Sequence, residues 1–179
     1  VKKNNIFFAI KGSNINGNKY IKEAIKKGAN TIVSNLNFKG KKNKTLYIKT
    51  KNPRKLLSEV ASKFYNKKPK NVIAVTGTNG KSSIADFYFQ ILRMNNLKVA
   101  SIGTLGVKTH LKNLKIKNTT LDPISLNKHL QNIKKKRINN VILEASSHGL
   151  KQCRLNGINI KTGIFSNLSR DHLDYHKTY

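Results

Sequence analysis

A short glycine-bracketed segment after an apolar run carries the residues best suited to chemistry. The run Val72–Thr76 is followed by Gly77, Thr78, Asn79, Gly80, Lys81, Ser82 and Ser83. Glycine permits a tight turn, and the backbone N–H groups of such a turn, with the N-terminus of a following helix, bind anionic oxygens. A lysine here can neutralise the outer phosphates, and a serine hydroxyl can bind Mg²⁺. The segment therefore predicts a phosphate-binding loop and a reaction that uses a nucleotide.

This loop is a shorter variant of the general P-loop pattern. Val75 stands where that pattern has its first glycine, and the match is to Thr-Gly-Thr-Asn-Gly-Lys-Ser instead. An ordinary glycine-rich turn between a strand and a helix is the alternative. The apolar strand before the loop and the helical pattern after it favour the phosphate-binding interpretation.

A second candidate is a carboxylate, Glu144, which ends the apolar run Val141–Glu144. Mg²⁺ usually takes one or two carboxylates together with phosphate oxygens and water, so Glu144 is a candidate metal ligand; a solvated strand end is the alternative. The neighbouring Ser146, Ser147 and His148 do not predict a nucleophile with its base, because adjacent residues rarely present that geometry.

A third segment, Ser166–His176, is rich in polar and charged side chains. Its His172 is a candidate metal ligand, because neutral imidazole binds metals and a nearby carboxylate can orient the ring. A plain polar loop is the alternative. The single Cys153 excludes a thiolate-based structural zinc site and an internal disulfide, which fits a reducing compartment.

These segments need a framework that brings them together, and the pattern from residue 71 onward supplies one. Strands are predicted at 72–76, 98–102, 141–144 and 160–165, and helices at 81–94 and from Pro123, with Asp122 as the cap. Such alternation predicts an α/β fold with a mostly parallel, P-loop-type sheet that is flanked by helices on both faces. Ligands bind beyond the carboxyl ends of such strands, so the three segments should converge on one rim.

Residues 1–70 predict a separate, small α/β domain. Strands are expected at 6–10, 31–33 and 46–48, helices at about 20–25 and after Pro53, and an exposed loop at Lys39–Lys44. The charged, proline-containing stretch Asn66–Asn71 is the predicted boundary, which gives domains 1–70 and 71–179. Because the chain opens on Val1 and stops inside the third segment, we expect the first domain to be incomplete at its start and the second at its end.

The formal charge of +29 comes mainly from lysine, since only five of the 36 basic residues are arginine. A basic surface attracts nucleic acid, but scattered lysines are typical of a solvated surface, and we expect no dedicated nucleic-acid binding. Such a field still attracts anionic substrates. No apolar run approaches the roughly 20 residues that span a bilayer, so we expect no membrane partner. No signal peptide is visible, but this means little in a chain that opens on Val1. We expect a cytoplasmic protein.

In order and approximate spacing, the motifs resemble those of the Mur ligases, ATP-dependent amide-bond-forming enzymes of peptidoglycan synthesis. The resemblance covers nearly the whole chain. Its motifs are IFFAIKG from residue 6, VTGTNGKSS from 75, IGTLGV from 102, NTT from 118, EASSHGL from 144 and SNLSRDHLDYH from 166. The Asn-Thr-Thr and Ser-Ser-His segments point to the branch of the family that adds a diamino acid to UDP-N-acetylmuramoyl-L-alanyl-D-glutamate.

This resemblance implies roles for the matching positions. The first domain would hold the UDP-sugar, and Gly77–Ser83 would hold ATP. Ser82 and Glu144 would bind one Mg²⁺, His172 would help to bind a second, and Lys81, Glu144 and His172 would be the catalytic residues. Implied contacts with the UDP-muramoyl dipeptide are Ser13, Asn14, Ile15, Asn118, Thr119, Thr120, Ser146, Gln152 and Arg154. For the first three, a plain surface loop is the alternative.

The implied reaction is a two-stage amide ligation through an acyl phosphate, which supplies peptidoglycan precursors for cell-wall growth, cell shape and division. Leu121 and Cys153 replace residues common in the family, proline and histidine, and neither change removes a group that the chemistry requires. The family's carbamylated lysine and C-terminal domain would follow Tyr179. The identity of the diamino acid, diaminopimelate or lysine, and the oligomeric state are therefore left open, and the chain alone is expected to be inactive.

Three alternatives remain at this point. The chain could be a nucleotide- and UDP-sugar-binding module that completes no catalysis. It could belong to another Mur-type amide ligase, such as MurF or folylpolyglutamate synthase. It could also be a basic nucleic-acid-binding protein, although its seven Phe and six Tyr lie mostly in apolar runs.

Overall fold

The computed structural model describes residues 1–12 and 15–169. Packing divides the chain into two compact units, Val1–Leu57 and Ser58–Tyr179. The division falls inside a helix, Pro53–Phe64. The domain boundary that the charged stretch predicts, between residues 70 and 71, stays a prediction.

The first unit is a four-stranded sheet with one short α-helix. Its elements are β1 (Ile6–Phe8), a 3₁₀ helix (Gly17–Tyr20), α1 (Ile21–Lys26), β2 (Thr31–Ser34), β3 (Gly40–Lys42), β4 (Thr45–Lys49) and the start of α2 (Pro53–Phe64). The strand order is β1-β2-β4-β3, in which β1, β2 and β4 are parallel and β3 is antiparallel to β4. Ala9, Ala24 and Ile32 belong to one buried apolar cluster of this unit.

The prediction of a loop at Lys39–Lys44 is wrong. Residues Gly40–Lys42 form an edge strand that pairs with Thr45–Tyr47, and all three are exposed. An edge strand can form through backbone hydrogen bonds along one side only, and lysines are typical of such edges. Because no apolar alternation is needed there, the sequence pattern gives no strand signal.

The second unit contains the larger sheet. Its elements are β5 (Asn71–Thr76), α3 (Lys81–Met94), β6 (Val99–Gly103), β7 (Gly106–Thr109), β8 (Asn113–Leu114), α4 (Pro123–Lys135), β9 (Asn140–Glu144), α5 (Ser147–Lys151) and β10 (Thr162–Phe165). The strand order is β10-β5-β9-β6-β7-β8. The first four strands are parallel, and β7 and β8 continue the sheet as an antiparallel meander. The predicted α/β fold with a mostly parallel sheet is confirmed.

Helices cover both faces of this sheet, as the alternation of side chains along the strands requires. On one face, Val72, Val141 and Ala100 join a buried cluster with Leu126 and Leu130 of α4. On the other face, the intervening strand residues pack with α3 in a second cluster, which contains Ile73, Val75, Ala85, Tyr88 and Ile142. Strands β5, β6 and β9 are therefore buried on both sides, which explains why they read as continuous apolar runs, whereas the edge strand β10 is mostly exposed.

The two long helices begin where the sequence predicts. Helix α3 begins at Lys81, after Gly80 in the left-handed conformation at φ 83°. Helix α4 begins at Pro123, and the Asp122 carboxylate accepts hydrogen bonds from the N–H groups of Ile124 and Ser125, both at 3.0 Å. Strands β7 and β8 and helix α5 were not predicted, because they are short and carry little apolar periodicity. Within the described residues, no helix combines the length and the apolarity that crossing a membrane demands.

Candidate functional site

Three loops meet at one edge of the larger sheet. Strands β5, β9 and β10 are parallel neighbours, with Val75 paired to Glu144 on one side and to Ile164 on the other. The chain segments that follow these strands therefore leave the sheet at the same end, as predicted. Strand β6 also ends there, since Ile102 pairs with Leu143. This adds a fourth segment, the turn at Thr104, which the sequence analysis missed.

The glycines of the phosphate loop are needed for its shape. Gly77 has φ +136° and Gly80 has φ +83°, values that residues with a Cβ rarely adopt. A Cβ on Gly77 would lie 2.1 Å from Ser166 Oγ and 2.9 Å from Asn167 O. The loop thus packs directly against the segment that follows β10, and no side chain fits between them.

That segment also holds the loop through hydrogen bonds. Asn167 O accepts from the N–H of Thr78 at 3.0 Å, and Asn167 Oδ1 accepts from the N–H of Asn79 at 3.0 Å. Asn167 Nδ2 and Ser166 Oγ both donate to Asn79 O, at 3.2 and 2.6 Å. The Thr78 hydroxyl exchanges hydrogen bonds with the backbone of Ser169. The sequence places this polar segment at the rim, but it does not reveal that the segment fixes the loop.

Lys81 lies over the loop. Its ammonium donates to the carbonyl oxygens of Gly77 at 2.6 Å and of Thr78 at 2.8 Å. No side chain caps the N-terminus of α3, so its first N–H groups remain available to an anion, and the helix dipole favours negative charge at this end. The loop combines a cation with the positive end of a 14-residue helix, an arrangement that fits phosphate oxygens.

Glu144 is the second component of the site. Glu144 is buried, with only 3% of its surface exposed. Ser82 Oγ donates to Oε2 at 2.8 Å, the N–H of Thr104 donates to Oε1 at 2.9 Å, and Thr104 Oγ1 donates to Oε2 at 3.1 Å. Across residues 1–12 and 15–169, the ion pairs given by the structure do not include Glu144. A buried carboxylate with only neutral donors is costly, and a bound cation would offset that cost.

The donor set fits Mg²⁺. A hydroxyl and a carboxylate are both hard oxygen ligands, and two ligands at right angles around Mg²⁺, each 2.0–2.1 Å from the ion, are about 2.9 Å apart. Ser82 Oγ and Glu144 Oε2 are 2.8 Å apart. In the described part of the chain, no group of three or more His, Cys, Asp or Glu side chains could hold a metal by itself. Phosphate oxygens and water would therefore have to complete the coordination.

Gly103 makes room for the carboxylate. A Cβ at this position would lie 2.0 Å from Glu144 Oε1 and 2.4 Å from Cδ. Thr104 follows directly, and its hydroxyl is also 3.0 Å from the Thr119 hydroxyl. The sequence could have placed Thr104 at this rim, because the Gly-Thr pair follows a predicted parallel strand and the ends of such strands line the site.

Beside Glu144, Thr120 and Ser146 are joined by their hydroxyl groups. Thr120 Oγ1 has one proton and donates it to Glu144 O at 2.9 Å, so the contact with Ser146 Oγ at 3.0 Å requires Ser146 to be the donor. Thr120 Oγ1 also accepts from the N–H of Ser146, and Ser146 Oγ accepts from the N–H of Gly149 as the cap of α5. Both hydroxyls are thus engaged inside the protein, and they shape one wall of the site.

Gln152 and Arg154 form a further pair behind this wall. Arg154 Nε and Nη2 donate to Gln152 Oε1 at 3.2 and 2.8 Å, and Arg154 Nη1 donates to Thr120 O at 2.5 Å. Three of the five N–H groups of the guanidinium are therefore used internally. Asn118 is exposed, and Thr119 is half-buried.

The remaining predicted residues belong to the first unit or lie outside the described residues. Ile15 lies in the first unit and is 59% exposed; its carbonyl accepts from the N–H of Gly12 at 2.7 Å and closes a turn. Ser13, Asn14 and His172 lie outside the described residues.

Comparison with known families gives two matches along the chain. Residues 75–179 match the Mur ligase middle domain, and residues 1–65 match the catalytic domain of the Mur ligase family. The chain belongs to the Mur ligase family. The interval between the two matches, residues 66–74, contains the charged stretch before β5.

Related proteins of this family are similar along almost the whole chain. A UDP-N-acetylmuramoyl-L-alanyl-D-glutamate--2,6-diaminopimelate ligase of Rickettsia montanensis is 44% identical over 186 residues, which cover 99% of this chain and 38% of the relative. The ligase of the same name from Rhizobium meliloti is 38% identical over 178 residues, which cover 99% of the chain and 36% of the relative. The chain thus spans well under half the length of these Mur ligases.

Solved Mur ligase structures share the fold. A structure of a UDP-N-acetylmuramoyl-L-alanyl-D-glutamate--2,6-diaminopimelate ligase superposes with a TM-score of 0.81 at 33% identity, over 99% of this chain and 36% of that chain. The MurF ligase of Thermotoga maritima, solved in complex with ADP, superposes with a TM-score of 0.59 at 18% identity, over 99% of this chain and 38% of that one. The second likeness shows the fold alone.

Proposed function

We propose that the chain is the UDP-sugar- and ATP-binding part of a ligase that joins a diamino acid to UDP-N-acetylmuramoyl-L-alanyl-D-glutamate. One observation carries the proposal: the Ser82 hydroxyl lies 2.8 Å from the buried carboxylate of Glu144, directly beside a glycine loop with a lysine. The lysine can neutralise part of the charge of a triphosphate, and the hydroxyl and the carboxylate can hold the metal ion that is bound to it. The names of relatives up to 44% identical, all ligases for this acceptor and 2,6-diaminopimelate, support the acceptor and favour that diamino acid.

The loop residues would bind and orient ATP. Residues Gly77–Ser83 surround the phosphates, and Lys81 exchanges its hydrogen bonds with loop carbonyls for phosphate oxygens. Ser82 and Glu144 would hold Mg²⁺, which when bound neutralises developing charge on the phosphates. Proteins accelerate phosphoryl transfer mostly by positioning and charge neutralisation. Both contributions are available from this loop.

The acceptor would lie on the side of Thr104 and Thr119. Its glutamyl carboxylate takes the γ-phosphoryl group of ATP and becomes an acyl phosphate. The amine of the diamino acid then attacks the acyl carbon, and phosphate leaves as the amide forms. In this proposal the acceptor is contacted by Asn118, Thr119, Thr120, Ser146, Gln152 and Arg154. The last four are also hydrogen-bonded among themselves, which would hold them in place for this contact.

The other predicted roles belong to the same proposal. Ser13, Asn14 and Ile15 would contact the uridine end of the acceptor, and His172 would contribute to a second Mg²⁺. The domains would divide at 70/71, the enzyme would work in the cytoplasm, and its product would enter peptidoglycan synthesis.

The test is a ligation assay on the complete protein that contains this chain. The protein is supplied with ATP, Mg²⁺, UDP-N-acetylmuramoyl-L-alanyl-D-glutamate and either meso-diaminopimelate or lysine. We expect ADP, phosphate and the amide product to form in equal amounts, and only when all substrates are present. If no amide product forms with diaminopimelate and none forms with lysine, the proposal is contradicted.

Substitution of Lys81 tests the assignment of the loop. Removal of one preorganised hydrogen-bond donor from a catalytic site typically costs about 10²–10³-fold in turnover, so Lys81→Ala, which also removes a charge, should lose at least about 100-fold. Lys98→Ala, which removes an exposed lysine at the opposite end of β6, is the matched control and should ligate like the wild type. Near wild-type turnover of Lys81→Ala would show that the loop does not hold the reacting phosphate.

A further inference from the structure

Thr104 connects two parts of the site that the motifs treat separately. Its backbone N–H and its hydroxyl both donate to the Glu144 carboxylate, at 2.9 and 3.1 Å, and its hydroxyl also contacts the Thr119 hydroxyl at 3.0 Å. We propose that Thr104 is a positioning residue that aims the Glu144 carboxylate at the metal and couples it to the acceptor loop at Thr119. The inference rests on the proposed function for the roles of Glu144 and Thr119.

The directions of the hydrogen bonds follow from the number of protons. In the ionised form that a metal ligand needs, Glu144 only accepts hydrogen bonds. Thr104 has one hydroxyl proton, which goes to Glu144 Oε2, so the Thr119 hydroxyl must donate to Thr104. The lone pairs of the Thr119 hydroxyl are then left for a hydrogen-bond donor of the substrate UDP-N-acetylmuramoyl-L-alanyl-D-glutamate. A group that donates to Thr119 polarises its hydroxyl and, through Thr104, strengthens the hydrogen bond to Glu144.

The Glu144 carboxylate is also held by groups other than Thr104. Ser82 Oγ donates to the same Oε2 atom at 2.8 Å, and the space for the carboxylate exists only because residue 103 is glycine, where a Cβ would lie 2.0 Å from Oε1. With Oε1 held by a backbone N–H, the hydroxyls of Thr104 and Ser82 together set the orientation of the Oε2 atom. Residues that orient metal ligands in this way typically change metal affinity by about 10–100-fold when they are mutated.

Thr104 can be altered without disturbing the core. The residue is exposed, and Thr104→Val keeps its shape and its backbone N–H while it removes the hydroxyl. Thr104→Ser keeps the hydroxyl and is the rescue variant, and Thr104→Ala is a second variant without the hydroxyl. Thr162→Val is the matched control, because Thr162 is an exposed strand residue at the opposite end of β10.

The first measurement is equilibrium binding of a non-hydrolysable ATP analogue to the complete protein, with Mg²⁺ and with a chelator. The factor by which Mg²⁺ raises the affinity for the ATP analogue should be about tenfold smaller in Thr104→Val and Thr104→Ala than in the wild type. The affinity measured with the chelator should stay unchanged. Thr104→Ser and Thr162→Val should stay within about threefold of the wild type. An undiminished Mg²⁺ effect in both hydroxyl-free variants would overturn the inference.

The second measurement tests the coupling to the acceptor. Thr104→Val should raise KM for UDP-N-acetylmuramoyl-L-alanyl-D-glutamate in the wild-type background but cause no further rise in a Thr119→Val background, because the connecting hydrogen bond is already lost. Independent, additive effects of the two substitutions would contradict the coupling. If the wild type binds Mg²⁺ and nucleotide as described but ligates neither amino acid, the proposed function fails while the positioning role of Thr104 stands.

Discussion

At the scale of single residues, the site depends on groups whose partners are distant in the chain. Lys81, Ser82 and Glu144 can be identified from the sequence because a loop lysine, a hydroxyl and a strand-end carboxylate have recognisable surroundings. Thr104 and Asn167 could not be assigned a role in this way, because a threonine or an asparagine in a turn is usually a surface residue. Their roles follow from hydrogen bonds that span 40 and 88 positions of the chain.

Asn167 gives a direct residue-scale prediction. Its side-chain amide pairs with both backbone polar groups of Asn79, at 3.0 and 3.2 Å. Each hydrogen bond contributes about 0.5–1.5 kcal/mol net, so Asn167→Ala should weaken binding of an ATP analogue roughly tenfold. Calorimetric titration of the complete protein measures this, with Asn132→Ala, at an exposed position of α4, as the control. Unchanged affinity in Asn167→Ala would mean that the loop keeps its shape without this contact.

At the scale of elements, the long periodic segments were predictable and the short ones were not. Helices α3 and α4 and strands β5 and β9 carry strong apolar patterns, and their bounds agree closely with the predictions. Strands β3 and β8 are exposed and short, so backbone pairing alone defines them. Helix α5 has a usable signal that was overlooked, since Ser146 three residues before Gly149 forms an N-terminal cap.

Helix α3 is tied to strand β7 by an ion pair. Asp86 of α3 accepts from Lys108 of β7 at 2.5 Å, and the Lys108 ammonium lies 5.1 Å from the centre of the Phe89 ring. The hydrogen bond from Lys108 lowers the pKa of Asp86 below its usual value, with smaller support from Gln90 and against the opposing effect of burial. The ion pair therefore persists to lower pH in the folded protein than a free aspartate would allow.

This lowered pKa predicts a pH-dependent contribution to stability. Because the folded-state pKa is below the unfolded one, the contribution is fully present above the unfolded value, near pH 4, and is lost as the pH falls through the folded value. Asp86→Asn removes it at every pH. The difference in urea midpoint between the wild type and Asp86→Asn should therefore be largest at neutral pH and shrink below about pH 4. A difference that stays constant from neutral pH down to about pH 2 would rule out this pH-dependent contribution of Asp86.

At the scale of the whole molecule, the order of the strands determines which residues meet. The parallel run β10-β5-β9-β6 brings four strand ends to one edge. Convergence of three of them was predictable from strand and helix alternation. The fourth strand end carried the same signal, but the alternation does not reveal that β9 lies between β5 and β6, and that placement is what brings Thr104 to Glu144. The resemblance to Mur ligases supplied the proposed reaction, which the residues alone left open.

The central claim is that the phosphate loop and Glu144 hold one Mg²⁺–triphosphate between them. Its most direct test is the affinity of the complete protein for ATP with Mg²⁺ and with a chelator, for the wild type and for Glu144→Gln, which keeps the shape and removes the charge. We predict that Mg²⁺ raises the affinity of the wild type by at least about tenfold and leaves that of Glu144→Gln nearly unchanged. A Glu144→Gln protein that responds to Mg²⁺ as strongly as the wild type would contradict the claim.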